Sequence, residues 1–199
     1  MKTITSEMQQ KITPSDALER LAEGNRRFRQ QSPAKVDLMG RVGETSRGQY
    51  PFATILGCID SRVPAEIVFD QCIGDIFNVR VAGNIVNEDV LGSLEFACKE
   101  AGSKLILVMG HTDCAAVTAA CNKVEMGMFA SIVLKIMPAV ESFKGVSLQA
   151  DRVAEEHVKL SMERIRTENP ILAEMEEKGQ ILIRGAMYDV SSGRVNFLN

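Results

Sequence analysis

The sequence lacks several features that would place it in a common functional class. No apolar run approaches the roughly 18 residues that a membrane span needs. The opening residues, MKTITSEMQQK, lack the apolar core of a signal peptide. The net charge is only −3 and the basic residues are scattered, so no basic surface for nucleic acid is expected. These absences predict a cytoplasmic protein with neither a membrane nor a nucleic-acid partner.

The chain is also poor in histidine and aromatic residues, with two histidines and no tryptophan, yet it has five cysteines. None of the cysteines forms a C-x-x-C motif, which argues against a thiol redox protein. In the reducing cytoplasm the cysteines would remain thiols. Metal binding or catalysis is therefore a better reason than a disulfide for any special cysteine.

The order of apolar runs predicts the fold class. The 199 residues allow one sizeable core, and no linker or repeat divides them, so we predict a single domain over 1–199. The sequence up to about residue 50 predicts a helical arm, which begins with a loose segment over 1–12. Beyond the arm, strand-like runs alternate with helical spacing; the predicted strands are 52–56, 75–82, 104–109, 180–187 and a short strand after the turn at 191–193. This alternation predicts an α/β fold with a mostly parallel central sheet, flanking helices and a C-terminal antiparallel edge strand.

Metal-binding side chains follow two of the predicted strands, at the edge where parallel sheets form their sites. Cys58 follows the first strand, and His111 and Cys114 follow the third along the chain. Two thiolates and one imidazole form a ligand set that selects zinc, and three ligands with an open fourth position are typical of catalytic sites. On spacing alone, two inert core cysteines and a turn histidine are an equally good interpretation.

Asp60 and Arg62 favour the metal site over that alternative. A carboxylate and a guanidinium buried beside Cys58 would be costly unless they were paired and used. Asp60 could accept a proton from water on the metal, and Arg62 could keep the carboxylate charged and oriented. A structural ion pair at a strand end is the other interpretation. His157 lies in the charged stretch DRVAEEHVKL, so we expect it at the surface and expect proton export through water and buffer.

These residues resemble the β-class carbonic anhydrases. The segment Cys58–Arg62 is similar to the C-x-D-S-R signature of that family, and Gly110–Cys114 is similar to its G-H-x-x-C signature. The segments FDQCIGDIFNVRVAGN and GAMYDVSSGRVNFL are similar to the family as well. The resemblance implies the fold of the family, one Zn²⁺ ion per chain, and the reversible hydration of carbon dioxide to bicarbonate and a proton.

The resemblance also implies roles for individual residues of the metal centre. Cys58, His111 and Cys114 would bind zinc. Asp60 would orient the water on the metal, or would itself bind the metal in a closed, inactive form. Arg62 would pair with Asp60.

The resemblance further implies a set of substrate contacts. Gln49 would hydrogen-bond the substrate, and Phe77 and Phe96 would form an apolar wall supplied by a partner subunit, which implies a homodimer or a dimer of dimers. Ala115 stands where the family often has glycine, so its methyl group would narrow the pocket. Some members have an inhibitory bicarbonate pocket with a tryptophan; Ile55 stands at that place here, so we expect the open form of the site.

Two other functions stay open at this point. The fold could hydrolyse a related molecule such as carbon disulfide or carbonyl sulfide, or the protein could be a zinc-binding homologue that has lost turnover. Ala115 and Cys72, which stands where a small turn residue is expected, support the impaired homologue. Asp60 and Arg62 argue against it, because a structural zinc has no use for them.

Overall fold

The computed structural model describes residues 2–145 and 147–198, and its strands in those ranges form one sheet. The strands are β1 Ala53–Gly57, β2 Ile76–Arg80, β3 Leu105–His111, β4 Leu182–Tyr188 and β5 Val195–Phe197. Their order across the sheet is β2-β1-β3-β4-β5. The pairings among β2, β1, β3 and β4 are parallel, and β5 pairs antiparallel with β4. The predicted α/β class with an antiparallel edge strand is confirmed.

Helices connect these strands and precede the sheet. They are α1 Ser6–Lys11, α2 Pro14–Arg29, α3 Leu38–Thr45, α4 Ala65–Val68, α5 Glu88–Glu95, α6 Ala115–Cys121, α7 Ala130–Glu141, α8 Ala150–Glu168 and α9 Pro170–Glu177. Short 3₁₀ turns cover Ala82–Asn84 and Gly127–Phe129, and a π turn over Phe96–Glu100 extends α5. In the described ranges, none of the helices has the length and apolar character to cross a membrane.

The helix α8 lies tightly against the sheet because two strand positions have no side chain. A Cβ atom added at Gly110 on β3 would lie 2.7 Å from a Val158 methyl group, and one added at Gly185 on β4 would lie 2.8 Å from the other. The strand β3 is buried along its whole length, and most of β4 is buried as well. The glycines therefore allow α8 to pack close to the end of β3, where His111 lies.

The first residues of the chain are packed against the core rather than loose. The Thr5 side chain caps α1, and Ile4 and Ile12 on either side of this helix are buried. The Gln9 amide donates hydrogen bonds of 2.7 and 2.8 Å to two backbone carbonyl oxygens. The expectation of a loose segment over 1–12 was wrong, because two buried isoleucines anchor a segment whose other residues are mostly polar.

A buried ion pair joins the helical arm to the edge of the sheet. Arg41 on α3 and Asp75, immediately before β2, have side chains no more than 2% exposed, and Nη1 of Arg41 lies 3.0 Å from Oδ1 of Asp75. Arg41 also donates to the Lys2 carbonyl oxygen at 3.1 Å, and the Cys72 N–H donates to Asp75 at 2.9 Å. Burial nevertheless raises the pKa of Asp75 above its ordinary value, because desolvation of the carboxylate outweighs its partners.

Asn25 joins α2 to the C-terminal hairpin. Its amide group donates to the carbonyl oxygens of Val68 and Gly193, at 3.1 and 2.9 Å, and accepts the N–H of Val195 at 3.0 Å. The neighbouring Gly24 lets the helix approach the backbone closely, because a Cβ at that position would lie 1.8 Å from the carbonyl oxygen of Phe69. The arm and the hairpin are thus connected through one buried amide.

Candidate metal centre

Three potential metal ligands converge where two parallel strands end. Cys58 follows β1, His111 is the last residue of β3, and Cys114 precedes the first turn of α6. Because β1 and β3 are neighbours in the sheet, their carboxyl ends lie at the same edge. The ligand atoms of the three buried side chains all lie within 4.8 Å of one another. The structure thus brings together the three residues that the sequence proposes as metal ligands.

The imidazole of His111 is oriented for coordination through Nε2. Its Nδ1 atom lies 2.9 Å from the carbonyl oxygen of Thr112, which places the ring proton on Nδ1. The Nε2 atom is buried and has no hydrogen-bond partner in the described part of the chain. An unpartnered buried nitrogen is costly unless a ligand uses its lone pair, so this atom fits a metal ion.

Of the two cysteine sulfurs, that of Cys58 is in an environment that favours a thiolate. The Cys114 thiol, together with the backbone N–H groups of Asp60 and Gly83, lowers the pKa of Cys58 to about 4. Those N–H groups lie 3.4 and 3.3 Å from Sγ of Cys58. The adjacent Cys58 sulfur raises the pKa of Cys114, whereas N–H groups at the start of α6 lower it. One thiolate, a second sulfur and a free imidazole nitrogen form a donor set that fits Zn²⁺.

Asp60 and Arg62 form a bidentate ion pair beside these ligands. Nε and Nη2 of Arg62 donate to the two carboxylate oxygens at 3.0 and 2.8 Å, and the Arg62 backbone N–H adds a third bond at 2.9 Å. These bonds lower the pKa of Asp60 to about 2. Oδ2 of Asp60 lies 4.0 Å from Nε2 of His111, so the carboxylate faces the metal centre.

The expectation that both members of this pair are buried was wrong for the guanidinium. The Arg62 side chain is 45% exposed in the single chain, whereas that of Asp60 is 16% exposed. Arg62 is held from a second side by Asp113, whose carboxylate and carbonyl oxygens each accept a hydrogen bond of 3.0 Å. Because an exposed ion pair adds little stability, the geometry indicates orientation of the carboxylate rather than a contribution to the core.

The expected substrate contacts do not all lie beside the ligands in the single chain. Ala115 follows Cys114 directly and is exposed, and Gln49 is exposed in the segment before β1. Phe77 and Phe96 line a groove of about 550 Å³ between β2 and α5. The three candidate metal ligands do not line this groove. Phe96 is 58% exposed there. The roles of these four residues remain predictions.

Two residues near the centre were given no role beside Cys58 from the sequence. Arg80, the last residue of β2, donates to the carbonyl oxygens of Cys58 and Asp60 at 2.9 and 2.6 Å. Gly83 follows the same strand and donates to Cys58. Since β2 is parallel to β1 and pairs with it, residues that follow β2 belong at the same edge. That reasoning could have identified both.

The sequence-based expectation for His157 was also wrong. The side chain is buried on the inner side of α8, and Nε2 lies 3.0 Å from the Gly83 carbonyl oxygen. Burial lowers its pKa to about 4, so the ring is neutral near neutral pH. Charged neighbours in the sequence obscured its position on the apolar side of the helix.

Comparison with known proteins gives consistent matches over most of the chain. A family model described as carbonic anhydrase matches residues 53–195. Carbonic anhydrase 2 of Mycobacterium tuberculosis is 37% identical over 191 residues, which cover 91% of each chain. A carbonic anhydrase of Mycolicibacterium smegmatis is 33% identical over 189 residues, covering 92% of each.

Solved structures of carbonic anhydrases are also similar to this chain. The β-carbonic anhydrase CafA of Aspergillus fumigatus superposes with a TM-score of 0.73 at 27% identity, covering 93% of this chain and 90% of that one. A Coccomyxa β-carbonic anhydrase in complex with acetazolamide gives a TM-score of 0.71 at 25% identity, with 91% and 86% covered. The similarity therefore includes the helical arm as well as the sheet.

Proposed function

Because this chain belongs to the β-class carbonic anhydrase family, we propose that it catalyses the reversible hydration of carbon dioxide with one Zn²⁺ ion per chain. The products are bicarbonate and a proton. The observation that carries the proposal is the convergence of Cys58, His111 and Cys114, whose ligand atoms lie within 4.8 Å of one another. Relatives that cover about nine-tenths of the chain and are named carbonic anhydrase support the same activity.

Cys58, His111 and Cys114 would hold the ion through two sulfurs and one imidazole nitrogen. When bound, Zn²⁺ supplies a Lewis acid that lowers the pKa of water and so makes a nucleophile available near neutral pH. The hydrogen bond between His111 and the Thr112 carbonyl oxygen keeps the ring proton on Nδ1 and leaves Nε2 available for the metal. The surroundings of Cys58 favour its thiolate form. Three protein ligands leave room for a reacting molecule, which is typical of catalytic rather than structural zinc sites.

Asp60 would orient the attacking oxygen. Its carboxylate is an acceptor only, since hydrogen bonds from Arg62 keep its pKa near 2. An acceptor in that position can hold a proton of a hydroxyl group at Oδ2 and direct the oxygen lone pair toward carbon dioxide. Both carboxylate oxygens are already engaged by Arg62, which supports the open form over the closed form in which Asp60 binds the metal.

The apolar part of the site would come from a second copy of the chain. Phe77 and Phe96 lie in a groove apart from the metal ligands of their own chain, and the exposed ring of Phe96 can be covered by a partner. We propose a homodimer or a dimer of dimers in which these rings form a dry wall for carbon dioxide. Gln49 would donate to bicarbonate oxygen, and Ala115 would narrow the space beside Cys114.

Proton export would depend on water and buffer. His157 is the one histidine other than the ligand His111, and it is buried with its ring engaged by a backbone carbonyl group. A side chain in that position cannot carry a proton to solvent. The rate of hydration should therefore rise with buffer concentration until another step limits turnover.

The cysteines indicate the compartment in which this chemistry would work. All five are free thiols in the structure, and the proposed ligand set needs two of them reduced. We propose a cytoplasmic enzyme, because the reducing cytoplasm keeps such sulfurs available for a metal. We also propose that arm and sheet form one domain, since Ile4, Ile12 and Leu21 pack into the same core as the strands.

The test is stopped-flow hydration of carbon dioxide together with a zinc assay on the same sample. We expect about one zinc per chain and turnover that increases toward alkaline pH. The variant Cys58→Ser should lose most of both zinc and activity. The matched control Cys121→Ser changes a half-buried cysteine at the end of α6 and should keep both.

Other results would assign a different function. One zinc per chain without turnover at alkaline pH would indicate a zinc-binding homologue. Hydrolysis of carbonyl sulfide or carbon disulfide at a higher rate than carbon dioxide hydration would indicate the related hydrolase. A protein purified and reconstituted without any bound zinc would remove the mechanism altogether.

A further inference from the structure

The turn Ala82–Asn84 lies between the metal centre and the helix α8. On one side, the N–H group of Gly83 donates to Sγ of Cys58 at 3.3 Å. On the other side, the carbonyl oxygen of Gly83 lies 3.0 Å from Nε2 of His157. All of these contacts are buried. One residue of the turn thus connects a proposed zinc ligand with a side chain on α8.

The backbone of this turn is left-handed at two successive residues and is closely packed. Gly83 has a φ of +65° and Asn84 a φ of +42°, both in the left-handed region. A Cβ at Gly83 would lie 2.8 Å from Cδ1 of Ile136 and 3.2 Å from Cβ of Ala116. The position therefore requires glycine, and glycine has no side chain to fix its own peptide planes. Within the turn, the Asn84 N–H group donates to the carbonyl oxygen of Val81 at 2.9 Å, and contacts from outside the turn add to this restraint.

The helix α8 supplies such contacts at two points. His157 is 4% exposed and, with a pKa of about 4, is neutral when zinc would be bound. A neutral ring whose Nε2 faces a carbonyl oxygen carries its proton on Nε2. Two turns along the helix, Nη1 of Arg164 donates to the carbonyl oxygen of Val86 at 2.9 Å. The segment after β2 is therefore held from α8 at both of these positions.

We propose that His157 is a positioning residue for the metal centre: its Nε2–H group holds Gly83 so that the Gly83 N–H group points at Sγ of Cys58. The inference rests on the proposed zinc site. An N–H group directed at a thiolate stabilises the sulfur lone pairs and fixes the direction from which the sulfur can bind a metal. His157 thereby affects the lone pairs and orientation of the Cys58 sulfur without itself contacting the metal.

The test compares two variants of His157 with a control on the same helix. His157→Leu removes the donor, whereas the amide nitrogen of His157→Gln can reach the position of Nε2. The control, Ile165→Val, removes one buried methyl group from α8 away from the turn. The readouts are zinc affinity, by competition with a chelator, and the thiolate-to-metal charge-transfer band of the Co²⁺-substituted protein.

We expect His157→Leu to bind zinc about tenfold more weakly, in line with other outer-shell contacts of metal ligands. Its cobalt band should move to lower energy, because a sulfur that loses an N–H donor has higher-lying lone pairs. His157→Gln and Ile165→Val should remain near the wild-type protein in both readouts. A purely structural role for His157 would not move the band.

Two results would overturn the inference. One is a fully loaded His157→Leu protein with a cobalt band at the wild-type position. The other needs no variant and holds even if His157→Leu does not fold: ¹⁵N NMR of the wild-type protein that finds the His157 proton on Nδ1. Failure of the wild-type protein to bind one zinc per chain would instead refute the proposed function.

Discussion

Replacing Arg41 by methionine should destabilise the protein by leaving a buried carboxylate without its cation. Arg41 and Asp75 are almost completely buried, and without Arg41 the Cys72 N–H would still donate to the carboxylate of Asp75. Removal of one partner from a buried ion pair costs about 3–5 kcal/mol. For a chain of this length, that loss corresponds to a decrease in Tm of about 6–20 °C.

The loss of stability in Arg41→Met, called the deficit below, should depend on pH, and the pKa of Asp75 determines the direction of that dependence. Burial already raises the pKa of Asp75 in the wild-type protein, and loss of Arg41 would raise it further. A carboxyl group whose pKa is higher in the folded than in the unfolded state takes up a proton on folding, so stability rises as the pH falls through that window. The deficit of Arg41→Met should therefore shrink by about 1–2 kcal/mol between pH 7 and pH 5.

Urea unfolding followed by circular dichroism measures this deficit, since the chain has no tryptophan to report fluorescence. Zinc and protein concentrations must be kept constant, because ligand binding and association shift apparent stability. The double variant Arg41→Met/Asp75→Asn should be at least about 1 kcal/mol more stable than Arg41→Met at pH 7. Its deficit should not change with pH. An Arg41→Met protein within about 1 kcal/mol of the wild type, or equal deficits at both pH values, would refute this reasoning.

Three further predictions concern a helix contact, a buried histidine and the ion pair of the metal centre. Gly24→Ala should lower the free energy of unfolding by about 3 kcal/mol, because the new Cβ would lie 1.8 Å from the Phe69 carbonyl oxygen. Gly43→Ala, with no atom within 4 Å, should raise it by about 0.5–1 kcal/mol; similar values by thermal unfolding would contradict the close contact. Between pH 6.5 and 4, urea titrations should show the wild-type protein losing about 3 kcal/mol more stability than His157→Gln, because folding keeps this histidine neutral while unfolding allows its protonation. Equal losses would show that the ring is protonated when folded. Arg62→Met should lower the hydration rate about a hundredfold with zinc content unchanged, since the carboxylate beside it loses its orientation; a normal rate by stopped flow would exclude that role.

The sheet could be predicted from the sequence because its strands are short apolar runs that end in glycine or in polar residues. Parallel strands buried on both faces have this pattern, and the antiparallel edge strand followed from the turn at Ser191–Gly193. The start of the chain could not be predicted in the same way. Its packing depends on Ile4, Ile12 and the amide of Gln9, whose partners are far away in sequence.

The three candidate metal ligands could be predicted because their side chains carry recognisable chemistry. Cys58, His111 and Cys114 stand at strand ends, and the topology brings strand ends together. His157 was missed although a signal existed: it follows Val153 by four residues and precedes Ile165 by eight, which puts all three on the buried side of a helix. The charged neighbours of His157 favour a surface position, whereas the helical spacing indicates a buried one. The exposure of Arg62 could not be predicted, because it depends on what covers the end of the sheet.

The amide of Asn25 has a consequence for the order of events during synthesis. Two of its partners, Gly193 and Val195, are made 168 and 170 residues after it. The helix that carries Asn25 therefore emerges from the ribosome long before its binding surface is complete, and we expect it to complete its docking late. A fusion or deletion that displaces the hairpin would leave the Asn25 amide with Val68 as the remaining partner named above, so a change near residue 195 would weaken the packing of the helix that carries Asn25.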